Sequence, residues 1–82
     1  MDVIARNPQQ IGAAIRRHRR AIHLSQVELG ASASLRQATI SALENGEPGT
    51  QLRTLTDVMA ALGLELVIRE RTKASRAIEE LF

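Results

Sequence analysis

The sequence predicts a small all-α domain of four short helices followed by a single β-strand. Three observations predict this fold. Capping residues recur at helix starts, apolar residues then repeat at helical spacing, and in the segment LELVIRE every second position, Leu64, Leu66 and Ile68, is a large apolar residue. With 82 residues, 44% of them hydrophobic and 24% charged, the chain has the composition of one globular domain. A core of this size is only marginally stable, so oligomerisation would stabilise it further.

The composition argues against several classes of protein. The chain contains no Cys, which removes disulfides and Cys-based metal sites. No apolar run approaches the ~20 residues of a membrane span, and the start of the chain lacks the pattern of a secretory signal. The sequence shows no nucleophile–base pair, phosphate-binding loop or metal-ligand cluster. We therefore expect a cytoplasmic protein that is not an enzyme and that uses no cofactor or metal.

Positive charge is concentrated in the first half of the chain. The net charge is +2, and residues 1–46 carry six Arg against three acidic residues. The densest stretch is RRHRR, at residues 16–20. It suits a phosphate backbone or another anionic surface, and it suits a solvated helix face equally well.

Capping residues locate the first two helices. Asn7 can cap free amides and Pro8 tolerates the first helical position, so the first helix is expected to start there. Ser25 is followed by Glu28 at the spacing of a capping box, which predicts the start of the second helix.

The third helix is expected to follow a second capping signal, Ser34 with Gln37, and to stop at Asn45-Gly46. A solvated surface helix usually displays Lys and Glu, but the outward residues of this helix are small or hydrogen-bonding. They are Gln37, Ala38, Ser41, Ala42 and Asn45. Such a face is suited to pressing against a partner, although Gln37 can alternatively cap the start of its own helix.

The fourth helix is followed directly by the strand. Apolar residues repeat at helical spacing from Leu52 to Leu62. In the strand that follows, the inward positions are Leu64, Leu66 and Ile68. A single strand cannot satisfy its own backbone groups, so the simplest arrangement pairs it with a second copy across a two-fold axis. This reasoning predicts a homodimer.

These elements divide the chain into a helical domain over residues 1–63, a dimerisation strand over residues 64–71 and a C-terminal tail over residues 72–82. The tail has a short amphipathic helical pattern. It suits either a frayed end that folds back on the dimer or a segment that becomes ordered on a partner.

The segments LSQVELG and SLRQATISALENG resemble the helix-turn-helix of the lambda repressor and Cro, within the xenobiotic-response-element class of regulators. The resemblance covers residues 8–63. It implies a lambda-repressor-like DNA-binding domain of four or five helices, in which the third helix enters the major groove of double-stranded operator DNA.

The resemblance also implies roles for individual residues. Those at positions that touch base edges in related proteins are Arg36, Gln37, Ala38 and Ser41. Those at positions near the backbone phosphates are Ser25, Gln26, Thr39 and Asn45. Gln37 can pair with adenine and Arg36 with guanine. Arg36 can instead reach only phosphate, Gln26 can be merely exposed, and Ser41 can bond to its own helix.

Arg19 and Glu44 match an ion pair that ties the first helix to the third in these proteins. Two residues depart from the pattern. Ser34 stands where the turn usually has Gly, so the backbone there either avoids a positive φ or carries some strain. Gly30 replaces the customary Ala at a tight helix crossing, which keeps the fit but lowers helix propensity by about 1 kcal/mol.

Three further stretches, NPQQIGAAIRRHR, RQATISALENG and LTDVMAALGLELVI, resemble the HipB-like antitoxins over residues 7–70. This resemblance implies a dimeric repressor that pairs its C-terminal strands and represses its own operon from a palindromic operator, at the nucleoid. It also implies a HipA-type serine/threonine kinase toxin as partner. A free-standing dimeric repressor and a helical adaptor that binds protein through the third helix remain alternatives.

Overall fold

A computed structural model describes residues 2–71 of the chain, and four α-helices make up most of that range. In order they are α1 (Pro8–Ala21), α2 (Gln26–Ala33), α3 (Gln37–Glu44) and α4 (Leu52–Ala61). The all-α prediction is therefore confirmed for the described part of the chain. The predicted tail helix lies outside it.

The starts of α1 and α2 are set by local hydrogen bonds, as the sequence predicts. The Asn7 side-chain oxygen accepts from the Gln10 backbone N–H at 2.8 Å, and Pro8 is the first helical residue. At α2, Ser25 Oγ accepts from the Glu28 backbone N–H at 3.0 Å, and Glu28 Oε1 accepts from the Ser25 N–H at 3.0 Å. This reciprocal pair is the predicted capping box.

The turn between α2 and α3 differs from the prediction. Ser34 does not cap α3 but closes α2 in the left-handed region, with φ 58° and ψ 41°. The next residue, Leu35, donates its N–H to the Gly30 carbonyl at 2.8 Å, a hydrogen bond typical of helix C-termini that end in the left-handed region. As a result α3 begins at Gln37, after the N-cap residue Arg36, and the predicted capping box of Ser34 and Gln37 does not form.

Two glycines allow close packing, Gly30 against the turn after α2 rather than at the predicted helix crossing, and Gly12 against the end of α3. A Cβ atom at Gly30 would lie 2.6 Å from the Leu35 carbonyl oxygen. A Cβ atom at Gly12 of α1 would lie 2.5 Å from the carbonyl oxygen of Glu44 at the end of α3. Gly at these positions therefore sets the distances of α2 from the turn and of α1 from α3.

The core lies between the four helices and holds α3 by its inner side. Leu29 of α2, Ile40 of α3 and Val58 of α4 are fully buried at its centre. The other buried apolar residues are Ile15, Leu43, Leu55 and Leu62. Because Ile40 and Leu43 face this core, the opposite side of α3 faces outward.

Residues 64–71 form no regular secondary structure in the described chain, so the predicted strand is not observed. The physical reason is that a strand needs a backbone partner, and no other segment of residues 2–71 provides one. Leu64 packs against the core, whereas Leu66 is 58% exposed and Ile68 is 92% exposed. The pairing of this segment with a second copy remains a prediction.

Candidate nucleic-acid interface

The outer face of α3 is uncharged and partly accessible. Gln37, Ala38 and Asn45 are exposed, and Ser41 and Ala42 are half-buried. The only carboxylate of the helix, Glu44, turns inward and is buried. A surface without carboxylates does not repel phosphates, and small side chains allow a helix to approach a groove closely.

A buried ion pair joins α1 to α3 beneath this face. Arg19 Nε donates to Glu44 Oε2 at 2.6 Å, and Arg19 Nη2 donates to Glu44 Oε1 at 2.9 Å. The two side chains are only 8% and 1% exposed. The remaining Arg19 Nη1 donates to the Leu24 carbonyl at 2.8 Å, just before α2. This two-pronged contact fixes the orientation of α3 relative to α1 and α2.

The ion pair keeps Glu44 ionised. Burial by itself raises the pKa of the Glu44 carboxyl, but hydrogen bonds from Arg19 and Gln26 and the positive charges of Arg19 and Arg16 outweigh it. The net effect lowers the pKa of Glu44 below its usual value. For Arg19, the other member of the ion pair, the hydrogen bond to Glu44 outweighs desolvation and raises the pKa of the guanidinium.

The ion pair is linked to the outer face of α3 through two glutamines. Gln26 Nε2 donates to Glu44 Oε1 at 3.2 Å, and Gln37 Nε2 donates to Gln26 Oε1 at 3.4 Å. Since an ionised carboxylate can only accept, the Gln26 amide must turn its nitrogen towards Glu44 and its oxygen towards Gln37. The Gln37 amide is thereby held at the exposed start of α3 with its own oxygen available.

The residues expected near phosphates lie at the ends of α2 and α3. Ser25 and Gln26 form the start of α2, and the Ser25 hydroxyl can still donate its proton while its oxygen serves the capping box. Asn45 follows α3, where its Nδ2 lies 3.5 Å from Ser41 Oγ. Thr39 is half-buried within α3.

The remaining base-reading candidates lie at the start of α3. Arg36 is the N-cap residue, is exposed and makes no side-chain cap hydrogen bond. Arg36, Gln37 and Ala38 are therefore consecutive exposed residues at one end of the outer face. Sequence reasoning missed the contact between Gln26 and Gln37. The sequence contained one signal for this contact: each glutamine follows a helix-start signal, Gln26 in α2 and Gln37 in the adjacent helix α3.

Within residues 2–71, no helix combines the length and apolar character that crossing a membrane requires. The same part of the chain contains no group of three or more His, Cys, Asp or Glu side chains positioned to hold a metal ion.

Comparison with known proteins finds a matching family model and one similar curated protein. Residues 15–68 match the helix-turn-helix family model. A Mycobacterium tuberculosis protein assigned as the antitoxin HigA2 is 43% identical over 58 residues, which are 70% of this chain and 57% of that protein. The chain thus spans little more than half the length of this relative.

Two solved structures share the fold of the chain. A chain from a HipB-O4 20mer complex is 27% identical with a TM-score of 0.81, covering 87% of this chain and 100% of that one. A chain from a HipA-HipB-O2-O3 complex is 27% identical with a TM-score of 0.80 and the same coverage, 87% and 100%. These matches confirm the predicted resemblance to HipB-like antitoxins.

Proposed function

Because the chain belongs to the helix-turn-helix family, we propose that it is a sequence-specific DNA-binding repressor whose helix α3 enters the major groove. The observation that carries this proposal is the outer face of α3. That face has no charge, exposes small side chains, and presents the Gln37 amide in an orientation determined by Gln26 and Glu44.

The base contacts are assigned to the start and the middle of α3. Gln37 can accept from adenine N6 with its free oxygen and donate to N7 with the N–H that Gln26 leaves unused. Arg36 can donate to both acceptors of a guanine. Ala38 and Ser41 complete the surface, Ala38 by its small size and Ser41 by its hydroxyl.

The phosphate contacts are assigned to residues that border this surface. Ser25 and Gln26 place a hydroxyl and an amide at the N-terminus of α2, where the helix dipole also favours an anion. Thr39 and Asn45 provide donors along and after α3. Such contacts determine the register of the protein on DNA without reading its sequence.

The binding unit is proposed to be a homodimer. Leu66 and Ile68 are large apolar side chains exposed to solvent, beside Leu64, which packs on the core. Pairing residues 64–71 with the same residues of a second copy would satisfy the backbone and cover these side chains. A two-fold dimer places two α3 helices on two half-sites, so the operator is expected to be a palindrome.

The regulator is proposed to be the antitoxin of a type II toxin–antitoxin pair. Support comes from the relative assigned as an antitoxin and from the HipB chain found in a complex with HipA. By analogy, the partner would be a HipA-type serine/threonine kinase toxin, the operon would be repressed by its own product, and the protein would act at the nucleoid. Docking of residues 72–82 on that partner belongs to the same proposal.

Binding of the purified chain to DNA tests the proposal. A labelled duplex from directly upstream of its coding sequence should bind, by fluorescence anisotropy, about 1,000-fold or more tighter than a scrambled duplex at the same salt. Ala38→Glu, which puts a carboxylate on the outer face of α3, should abolish this binding. Thr56→Glu, which adds the same charge at an exposed position of α4, should not.

Other outcomes point to other functions. Equal affinity for both duplexes would contradict sequence-specific recognition, and absence of any DNA binding would favour a protein-binding adaptor. Copurification of a kinase encoded beside the gene would support the toxin partner. A chain that represses its operator without such a partner would be a free-standing repressor.

A further inference from the structure

Helix α1 carries a cluster of arginines that the interface described above does not use. Arg16, Arg17 and Arg20 are all exposed. Among the described residues, none of their side chains forms an ion pair or a hydrogen bond with the protein. Three guanidinium groups within two helical turns therefore remain available to an anion.

The packing of α1 shows which side of this helix faces α3. Gly12 faces it, because a Cβ atom there would meet the Glu44 carbonyl oxygen at 2.5 Å. Arg19, seven residues later on the same side, forms the ion pair with Glu44. Ile15 faces the core. The α3-facing side of α1 thus runs through Gly12 and Arg19, with the core to one side of it.

Arg16 lies on the other side of that line, next to the outer face of α3. At about 100° per residue, Arg16 is about 40° and Arg20 about 80° from Gly12, away from the core. Gln9 shares this side, and it contacts the loop that directly follows α3, because a Cβ atom at Gly46 would lie 2.6 Å from Gln9 Cα. By the same geometry Arg17 is about 140° from Gly12 and faces away from α3.

Electrostatics agree with this placement of Arg16. Burial is the largest influence on the pKa of the Glu44 carboxyl and raises it, but the charge of Arg16 is among the influences that lower it. Arg16 is thus close enough to the end of α3 to act on Glu44, although no ion pair joins their side chains.

The rest of the proposed interface contains little positive charge. Helix α3 has no basic residue, and the loop after it, residues 45–51, contains Glu47 and none either. Only Arg36 adds a cation at the start of α3. Neutralising phosphates next to α3 therefore requires cations from a neighbouring element.

We propose that Arg16 and Arg20 contact backbone phosphates of the bound DNA, so that α1 rather than the loop after α3 provides the charge beside the recognition helix. This inference rests on the proposed function. It adds to the interface a surface that contributes affinity equally on every DNA sequence, because phosphate contacts carry no base information.

The salt dependence of DNA binding tests the inference. Affinities of the full chain, Arg16→Gln, Arg20→Gln and Arg17→Gln are measured by anisotropy from about 0.05 to 0.2 M salt on the upstream duplex and on a scrambled one. Each lost phosphate contact should lower the slope of log affinity against log salt by about 0.9. We expect this loss for Arg16→Gln and Arg20→Gln on both duplexes, and no loss for Arg17→Gln.

Two further measurements separate a contact from a folding effect. Arg16→Lys keeps the charge and should keep the slope, and all variants should show the unfolding temperature of the parent chain. If Arg16→Gln, Arg20→Gln and Arg17→Gln all show the same slope of log affinity against log salt, the inference is overturned. The proposed function stays intact in that case as long as the parent chain binds DNA. A parent chain that binds neither duplex would overturn both.

Discussion

The Gln37 side chain donates its Nε2 to Gln26 Oε1 at 3.4 Å, which joins the first residues of α3 and α2. Gln26 in turn donates to Glu44 Oε1 at 3.2 Å, so the proposed base reader is linked through one amide to a buried carboxylate. Since a carboxylate only accepts, each amide in this series has one allowed orientation. Gln37 is exposed, yet its amide is thus oriented before any partner binds.

This link predicts that Gln26 and Gln37 act together in DNA binding. In a double-mutant cycle with Gln26→Ala and Gln37→Ala, we expect a coupling of about 0.5–3 kcal/mol in the free energy of operator binding. The reason is that Gln37 loses its orientation when Gln26 is removed. Additive losses, measured by anisotropy on one duplex, would show that the two side chains act independently.

Gln37 itself is expected to read one base pair. Gln37→Ala should weaken operator binding by about 1–3 kcal/mol and relax discrimination at one position of each half-site. Affinities for duplexes carrying single base-pair changes measure both effects. If the variant loses the same affinity on every sequence, Gln37 contacts phosphate instead of a base.

Ser34 is expected to limit stability because it occupies the left-handed region, with φ 58°. That conformation costs an L-residue about 1–2 kcal/mol, and Gly removes this cost while losing more backbone entropy on folding. Ser34→Gly should therefore raise the free energy of unfolding by about 0.5–1 kcal/mol in urea titrations. The same substitution two residues earlier, Ser32→Gly, lies inside α2 and should lower it by about 0.5 kcal/mol. If both substitutions change the free energy of unfolding in the same direction, the assignment of backbone strain to Ser34 is contradicted.

The buried ion pair predicts a loss of stability in acid. Because the folded-state pKa of Glu44 lies below its unfolded value, the folded chain binds fewer protons, and stability falls as the pH decreases. The contribution of the ion pair to the free energy of unfolding should be complete above about pH 5. It should shrink as the pH falls through 4.5, the usual pKa of Glu, and vanish below the lowered pKa of Glu44.

Glu44→Gln provides the comparison for this pH dependence. Its free energy of unfolding should depend less steeply on pH between about 5 and 3 than that of the parent chain. Arg19→Met should cost about 3–5 kcal/mol at neutral pH, because it leaves a buried carboxylate unpaired. An unchanged pH profile in Glu44→Gln would assign the acid sensitivity to other groups.

The dimer proposal predicts a pattern that alternates along residues 64–71. Leu66→Asp and Ile68→Asp should each convert the dimer to a monomer in sedimentation velocity, because they place a charge on the face that the second copy covers. Val67 is also exposed, at 69%, but in a strand it points to the opposite face. Val67→Asp should therefore leave the dimer intact. A Leu66→Asp chain that still sediments as a dimer would refute the pairing.

Sequence reasoning succeeded where the controlling interaction is local. The starts of α1 and α2 depend on hydrogen bonds between residues three apart, from Asn7 to Gln10 and from Ser25 to Glu28. Such contacts form as soon as the helix forms, so residue type and spacing are sufficient to predict them. The resemblance to a known family supplied the pairing of Arg19 with Glu44, which spacing alone does not reveal.

Only the tertiary structure decided the role of Ser34. Its side chain and spacing allow a helix cap, but Leu35 packs against the core and donates its N–H to the Gly30 carbonyl. The Ser34 backbone between them therefore lies in the left-handed region and ends α2 instead. The predicted strand likewise depends on a contact that its own sequence pattern does not provide. Residues 64–68 need a backbone partner, and residues 2–71 contain none.

By itself, the sequence determined the helices, the N-caps of α1 and α2 and the uncharged outer face of α3. The packing of α1 and α2 against α3 determined what that face presents, since Gln37 is aligned through Gln26 by a carboxylate buried under the helix. The reason is physical: local hydrogen bonds depend on neighbouring residue types, whereas the direction of an exposed amide depends on groups that only folding brings within reach.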